Sequence, residues 1–310
     1  MASTLIREPL VDLDRKRLYP PKPKRSVGPR RMTIGIGLLP IQGKKVLLAT
    51  DTQYTSAVAK YTGEKVFPLP PRDRFRLVVA ASGNDANLMG MAAQSIDKCV
   101  PYTSQPLPMQ EICSRLESQA ASFHKAHVLP LVKAGVISYD DPQYSFLIAA
   151  WCSPDQVKLF KSYKGIVCAA DKYDFIGSGE VVVRAYESLG DCRTDEFEAG
   201  LLAIYWARRA KRADPYCAGD TSLYVLDEDG SLRHALPIYV GCAERHFDEV
   251  EKLFNLILIP RSLGDEDMLE EVLDQNLRGE VSEIRHHRRD LLMMYDQNAC
   301  YQQIWAPAPT

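Results

Sequence analysis

The sequence predicts an α+β fold in which antiparallel sheets are covered by pairs of helices in a layered sandwich. Three observations lead to this prediction. Strand-like and helix-like stretches alternate in blocks, short hairpin turns join the strands within a block, and the helices occur two at a time. The chain has 310 residues, of which 46% are hydrophobic and 25% charged, as is typical of globular proteins that bury a large core.

The first block contains four predicted strands. TIGIGLLPI (33–41) and KKVLLATD (44–51) are rich in β-branched and aliphatic residues, and the Gln-Gly-Lys turn between them is typical of a hairpin. KVFPL (65–69) and RFRLVVAAS (74–82) follow, with a Pro-Pro-Arg-Asp turn between them. Folding is therefore expected to begin at about Thr33 with two strand pairs.

Two helices and a second block of strands come next. Apolar residues recur at three- and four-residue spacing over 84–100 and 108–133, which predicts two consecutive helices. The strands predicted after them are YSFLIAAW, QVKLFKSY, GIVCAA and YDFIG.

The second pair of helices begins at about Ser178 and Thr194. Thr194 is a capping residue type, and Asp195 and Glu196 place acidic side chains in the first helical turn. TSLYVLDEDGSLRHA then predicts one more strand pair around an Asp-Gly turn.

The two ends of the chain depart from this block pattern. Residues 1–32 are basic and Pro-rich without apolar periodicity, so we predict a leader that is disordered or removed. Residues 33–240 form the predicted folded domain. Residues 241–310 are amphipathic and then highly charged, which predicts a C-terminal helical extension.

Composition argues against several classes of function. Beyond residue 31 the chain has 29 Lys/Arg and 37 Asp/Glu, and this net charge of −8 does not suggest a nucleic-acid partner. Every apolar stretch is shorter than the roughly 20 residues that cross a bilayer, so no membrane partner is expected. The eight cysteines include no CxxC pair, which predicts neither a metal site nor a redox dithiol but free thiols in a cytoplasmic protein.

Three residues have side chains that could act together in catalysis. Thr33 opens the first strand, Asp51 ends the second and Lys65 opens the third. A threonine hydroxyl is a weak nucleophile, but a free α-amine on the same residue titrates at about 7.7–8.0 and can act as its base. Lys65 near the hydroxyl would stabilise the alkoxide, and Asp51 would keep Lys65 oriented and protonated.

These positions resemble the proteasome β-subunit and HslV branch of the N-terminal nucleophile (Ntn) hydrolases. That family has an N-terminal threonine, an aspartate at the end of the second strand and a lysine opening the third. Its threonine-to-lysine separation is the same as here, whereas its aspartate lies about two positions nearer the threonine. The resemblance covers roughly residues 32–236 and depends on an ordered series of motifs.

Further motifs of the series assign further residues by resemblance. VVAASGNDANLMG resembles the strand-to-helix passage whose backbone N–H forms the oxyanion hole, which implies Ala81 or Ser82. FIGSGE resembles the glycine-flanked serine that opens the third helix and implies Ser178. DPYCAGDTSLYVL resembles the loop with an aspartate and a serine near the nucleophile. It implies Asp214, but Cys217 occupies the serine position.

The resemblance implies a four-layer αββα sandwich of the Ntn-hydrolase type with a C-terminal helical extension. It implies a threonine-type peptidase that cleaves amide bonds of a peptide or protein substrate through an acyl-enzyme on Thr33. No metal or organic cofactor is implied. Relatives enclose their active sites in rings, so a homo-oligomeric ring is expected, with an unfoldase or activator as a further partner.

This chemistry requires Thr33 to be the first residue of the chain. Either autolysis at Met32–Thr33 or translation from Met32, followed by removal of the methionine, would free its amine. Family propeptides usually end in glycine, so Met32 fits autolysis poorly. A second register of the TIGI motif places Arg31 at the nucleophile position and predicts an inactive protein, but it loses the spacing to Lys65.

Two other functions remain open from the sequence. One is a non-catalytic structural subunit of a proteasome-like assembly that retains residues 1–32, and the other is a small-molecule amidohydrolase of the same fold. Taken singly, Thr33 is an ordinary strand residue, Asp51 a turn former and Ser178 a helix cap. Asp51 together with Lys65 favours catalysis, because a purely structural subunit has no chemical need for the pair.

Overall fold

The strands of the folded region form two large antiparallel sheets and one short ribbon. The computed structural model describes residues 33–40, 43–55, 60–72, 74–83, 86–99, 107–135, 144–153, 156–187, 195–258, 278–279, 281–286, 290 and 305–307. The predicted leader, Arg31 and most of the charged C-terminal stretch lie outside these residues.

Thirteen strands fall within the described residues. In chain order they are Ile34–Leu38 (β1), Lys45–Asp51 (β2), Gln53–Thr55 (β3), Lys60–Thr62 (β4), Val66–Pro68 (β5), Phe75–Gly83 (β6), Tyr144–Cys152 (β7), Gln156–Tyr163 (β8), Ile166–Ala170 (β9), Tyr173–Gly177 (β10), Thr221–Asp227 (β11), Leu232–Ala235 (β12) and Trp305–Pro307 (β13). The first sheet has the order β10-β1-β2-β11-β12-β13, the second has the order β5-β6-β7-β8-β9, and β3 pairs with β4.

Residues 281–286 are helical, and six further α-helices accompany the strands in the described part of residues 33–258. They are Ala86–Asp97 (α1), Met109–Phe123 (α2), Leu129–Lys133 (α3), Gly179–Arg184 (α4), Glu196–Ala213 (α5) and Pro237–Leu258 (α6). A π-helical turn at His124–Val128 joins α2 to α3. The predicted α+β class, with antiparallel sheets accompanied by helices, is confirmed.

Three hydrophobic clusters hold these elements together. One joins β1, β2 and β11 to α5 and the start of α6, with Trp206 of α5 fully buried in it. A second joins β6 and β7 to α1 and α2. The third contains residues of both sheets, among them Leu48 of β2 and Leu147 of β7. Each large sheet therefore contributes to a helix-covered cluster and to a cluster shared with the other sheet.

Two glycines of strand β1 face the cluster that contains residues of both sheets. Ile34, Ile36 and Leu38 point to the helix side of the sheet, so the residues between them point to the other sheet. A Cβ on Gly35 would lie 2.5 Å from Cγ1 of Ile176, and a Cβ on Gly37 would lie 2.8 Å from Leu159. Ile176 belongs to β10 of the same sheet and Leu159 to β8 of the second sheet, so the second sheet approaches β1 closely at Gly37.

Helix α6 extends the first cluster beyond the predicted domain boundary. It begins at Pro237, so the boundary predicted between residues 240 and 241 falls inside a helix. The buried Arg208 of α5 donates to Asp248 at 2.7 Å and to Glu251 at 2.6 Å, which ties α6 to α5. The division of the chain into three domains stays a prediction.

Three details differ from the predicted elements. The β3–β4 ribbon lies in a stretch where no strand is predicted, and β13, which pairs with β12, lies within the predicted helical extension. Helix α5 begins at Glu196 with Asp195 as its N-cap, whose carboxylate accepts from the N–H of Glu198 at 2.8 Å. Thr194, the predicted cap, lies outside the described residues. Within the described part of the chain, no helix is long and apolar enough to cross a membrane.

The contact of β1 with the second sheet predicts the effect of filling it. Gly37→Ala introduces a Cβ 2.8 Å from Leu159 of β8 in a closely packed interior, so we expect a loss of about 1–3 kcal/mol in the free energy of unfolding. The midpoint of urea denaturation measures it.

Gly90 in α1 is the matched control. A Cβ there meets no atom within 4 Å, and alanine favours a helix interior over glycine by roughly 0.5–1 kcal/mol. Gly90→Ala should therefore raise the midpoint. A Gly37→Ala variant as stable as the parent chain would contradict the close approach.

Candidate active site

The hydroxyl of Thr33 lies between a carboxylate and an ammonium group. Oγ1 of Thr33 donates to Oδ1 of Asp51 at 2.5 Å and accepts a hydrogen bond from Nζ of Lys65. Nζ of Lys65 lies 2.9 Å from the same Oδ1 atom. Thr33, Asp51 and Lys65 expose 3%, 0% and 1% of their surface. The three residues predicted from their spacing thus form one buried cluster.

The sheet pairings bring this cluster together. Thr33 directly precedes β1, Asp51 ends β2, and Lys65 directly precedes β5 of the second sheet. The N–H of Ile34 donates to Oδ1 of Asp51 at 3.0 Å, which fixes the carboxylate against the start of β1. The cluster therefore lies where the two sheets meet at one end of their strands.

Burial disfavours the charged form of Lys65, and three neighbouring residues favour it. Burial lowers the pKa of Lys65, while Asp51, Cys217 and Glu64 act in the opposite direction. The carbonyl oxygen of Gln53 accepts a third hydrogen bond from Nζ at 2.5 Å. The net direction is a pKa below the ordinary value, so the ammonium is held by its partners against the cost of burial.

A second polar group stands beside the first. The Ser178 hydroxyl donates to Oδ2 of Asp214 at 2.5 Å, and the N–H of Tyr216 donates to Oδ1 of Asp214 at 3.0 Å. Ser178 occupies the N-cap position of α4, but its side chain makes no cap hydrogen bond. The predicted pair of Ser178 and Asp214 is thus hydrogen-bonded, and Ser178 does not act as a side-chain cap.

Backbone contacts connect the second group to Thr33. The N–H of Gly179 donates to the Thr33 carbonyl oxygen at 3.4 Å. Gly177 has φ of +91°, and a Cβ there would collide with that carbonyl oxygen and lie 2.7 Å from Oγ of Ser82. Glycine is needed at residue 177 because the chain must turn there while touching Thr33.

Cys217 lies between the two polar groups. Its backbone N–H donates to the carbonyl oxygen of Asp214 at 3.0 Å, and its thiol interacts electrostatically with both Asp51 and Lys65. Burial raises the pKa of Cys217, and the charges of Asp51 and Asp214 act in the same direction. The residue is fully buried. It is therefore a neutral thiol that links the two groups.

Ala81 and Ser82, the two residues predicted for the oxyanion hole, lie within a paired strand. The N–H of Ala81 donates to the carbonyl oxygen of Lys65 at 2.9 Å, so it is already used in the sheet. Ser82 lies opposite Ser145 of β7 within the sheet. Both residues belong to β6, which continues to Gly83 instead of turning at Ala81.

Among the described residues, no group of three or more His, Cys, Asp or Glu side chains is arranged to hold a metal ion.

Several solved structures have a fold similar to that of this chain. The Anbu (ancestral beta-subunit) protein of Yersinia bercovieri aligns with a TM-score of 0.59 and 14% identity, over 75% of this chain and 100% of its own. The helical assembly of the Anbu complex from Pseudomonas aeruginosa gives a TM-score of 0.58 and 13% identity, over 75% and 100% of the two chains. An Anbu mutant from Hyphomicrobium sp. strain MC1 gives 0.58 and 12%, over 74% and 98%.

The fold is shared with Anbu. At such low identity the similarity establishes the fold alone. No protein-family model and no curated protein sequence matches the chain.

The resemblance to the proteasome β-subunit and HslV branch is therefore corrected. The similar solved structures are Anbu proteins, which are proteasome-like but form a distinct family. The assignment of the chain to that branch, made from the motif series, was wrong, and what the comparison establishes is the fold.

Sequence reasoning missed two groups beside Lys65. The carbonyl oxygen of Gln53 has no sequence signature, since every residue carries one. The ring of Tyr54 lies beneath Nζ of Lys65, 5.0 Å from the ring centroid. The only signal was its position three residues after Asp51, which becomes informative once the β3–β4 ribbon is known.

The burial of Cys217 predicts its reactivity. A buried thiol of raised pKa supplies little thiolate, so we expect iodoacetamide at about pH 8 to leave Cys217 unmodified in the folded protein. Mass mapping of alkylated peptides measures this.

Cys168 is the internal control, because it is exposed in the same fold. It should be alkylated in the folded protein, and both thiols should be alkylated after denaturation. Equal rates at Cys217 and Cys168 in the folded protein would show that Cys217 is accessible.

Proposed function

We propose that this protein is a threonine-type amide-bond hydrolase that acts on peptides, with Thr33 as its nucleophile once residues 1–32 are absent. The observation that supports it best is the Thr33 hydroxyl, which is buried and hydrogen-bonded to both Asp51 and Lys65. A purely structural role does not require a buried lysine beside a strand-end hydroxyl.

The proposed reaction begins at the freed amine of Thr33. This amine takes the hydroxyl proton, Oγ1 attacks the substrate carbonyl carbon, and the ammonium of Lys65 stabilises the developing alkoxide. The amide C–N bond then breaks, and the leaving amine takes the proton held by the threonine amine. Water afterwards hydrolyses the ester on Oγ1 and releases the acid.

The oxyanion donor in this proposal is the N–H of Gly83. Ala81 directs its N–H toward β5, and successive residues of a strand direct their N–H groups to opposite edges. Gly83 thus faces the same edge as Ala81, beyond the last pairing of β6 with β5. A backbone donor at the end of β6 is close to the strand ends that carry Thr33 and Lys65.

Ser178, Asp214 and Cys217 complete the site in this proposal. The Ser178–Asp214 pair stands next to Thr33 and can relay or hold a proton near its amine. Cys217 replaces the serine expected there, and burial keeps its thiol neutral.

The proposal includes the four-layer αββα order and a self-associated protein. Two helix-covered clusters on either side of one shared cluster support the layer order. The solved Anbu complex of Pseudomonas aeruginosa is described as a helical assembly, which supports self-association of this chain. A ring, an unfoldase partner and a cytoplasmic location remain parts of the proposal.

A non-catalytic subunit of a proteasome-like assembly is the second candidate. The observation that favours it is that Thr33 follows 32 residues in the sequence, which leaves its nitrogen as an amide until they are removed. The two candidates differ in whether this nitrogen is freed.

Two measurements test the proposed function. Intact mass and N-terminal sequencing of the purified native protein should show a chain that begins TIGIGLLP. That protein should hydrolyse fluorogenic peptide amides, and Thr33→Ala should lower the rate at least about 1,000-fold, since the nucleophile is lost.

Ser114→Ala is the control, because it removes an exposed hydroxyl of α2 far along the chain from the site. It should leave the rate unchanged. A retained leader together with equal activity of the Thr33→Ala variant would exclude the hydrolase, and hydrolysis of simple amides but not peptides would assign a small-molecule substrate.

A further inference from the structure

The ammonium of Lys65 has an aromatic neighbour besides its polar partners. Nζ lies over the ring of Tyr54, 5.0 Å from its centroid. The polar partners are Oγ1 of Thr33, Oδ1 of Asp51 and the carbonyl oxygen of Gln53. Three sides of the charge are thus hydrogen-bonded, and another faces a π system.

Tyr54 is fixed in this position from two directions. Its hydroxyl donates to the carbonyl oxygen of Glu64 at 2.8 Å, and Glu64 directly precedes Lys65 in the chain. Its ring stacks on Tyr61 with centroids 5.2 Å apart and planes 7° apart. The two tyrosines are opposite each other in the β3–β4 ribbon. The ribbon therefore holds the ring over Lys65.

We propose that Tyr54 is a positioning residue that keeps Lys65 protonated and directed at Thr33. The inference rests on the proposed function, because it assigns a role to Tyr54 through the lysine of that mechanism. The negative face of the ring attracts a cation, and the attraction is larger when the cation is withdrawn from water, as Lys65 is.

The charges around Lys65 show why such a contact matters. Asp51 from β2, the adjacent Glu64 and Cys217 from the loop before β11 favour the ammonium, and burial disfavours it. The charge of Asp214 acts on the neighbouring Cys217 thiol. Oδ1 of Asp51 is shared between Thr33, Ile34 and Lys65, so a single carboxylate oxygen supports the charge directly.

Tyr54 itself remains a neutral phenol in this arrangement. Burial raises the pKa of Tyr54, with Tyr61, Glu64 and Asp51 adding to the effect. Its oxygen is occupied by the Glu64 carbonyl, so the face of the ring meets Lys65 while the hydroxyl anchors the backbone beside it.

The test separates the ring from the hydroxyl with two variants of the full chain. Tyr54→Leu removes the ring, whereas Tyr54→Phe retains it and loses only the bond to Glu64. The pKa of Lys65 is read by ¹³C NMR of protein labelled at lysine Cε, with the signal assigned from Lys65→Arg. We expect Tyr54→Leu to lower this pKa by about 0.5–1.5 units and Tyr54→Phe to change it by less than half as much.

Activity of the mature protein gives the second readout. The mechanism needs Lys65 charged, so activity is lost as pH rises through its pKa. Tyr54→Leu should move this alkaline limb to lower pH by the same amount, and Tyr54→Phe should restore it toward the parent profile. Tyr61→Leu, which keeps the ring of Tyr54 but removes its stacking partner, should give a smaller shift.

The outcomes are distinguishable from failure of the proposed function. An inactive parent protein would exclude the hydrolase, yet the NMR titration would still report whether Tyr54 supports the Lys65 charge. An unchanged Lys65 pKa in a folded Tyr54→Leu variant overturns the positioning role. Equal downward shifts in Tyr54→Leu and Tyr54→Phe overturn the ring as its source and assign the effect to the Glu64 anchor.

Discussion

The burial of the Lys65 ammonium against a single carboxylate is the constraint on which the site depends. Removing an ion from water costs several kcal/mol unless its partners are well placed, and Lys65 is 1% exposed. Asp51 supplies the opposite charge at 2.9 Å, and Thr33 and Gln53 supply oxygen acceptors. The threonine hydroxyl is therefore a necessary partner of the lysine as well as a candidate nucleophile.

This arrangement requires that four stretches of chain meet at the site. They are the start of β1, the end of β2, the start of β5 and the loop before β11. The loop before β11 supplies a hydrogen bond to the second oxygen of the Asp51 carboxylate, since the N–H of Ala218 donates to Oδ2 at 3.4 Å. Gln53 returns to that loop by donating its N–H to the Ala218 carbonyl oxygen at 3.0 Å. The packing of the sheets also contributes, because a side chain at Gly37 of β1 would collide with Leu159 of the second sheet. The hydrophobic interior thus fixes the positions of the strands, and these positions bring the polar side chains at the strand ends into contact.

Much of this arrangement was readable from the sequence, and the reason is spacing. Thr33, Asp51 and Lys65 fall at the ends of predicted strands, so an antiparallel sheet order brings them together without knowledge of any contact. The oxyanion assignment was less successful, because a strand end cannot be placed to within one or two residues from pattern alone. Strand β6 ends at Gly83, so the N–H of Ala81 is still hydrogen-bonded to the carbonyl oxygen of Lys65. The β3–β4 ribbon and Tyr54 were missed because three-residue strands carry too little periodicity to be recognised.

The nitrogen of Thr33 separates the two functions that this site supports. While Met32 is attached, the nitrogen is an amide without basicity, and the hydroxyl proton is directed at Asp51. A freed α-amine ordinarily titrates at about 7.7–8.0, and the neighbouring ammonium of Lys65 disfavours a second positive charge. The amine would then be neutral at lower pH than an ordinary terminus and able to accept the hydroxyl proton. A structural subunit and a hydrolase thus differ by one peptide bond, with the same side chains in place in both.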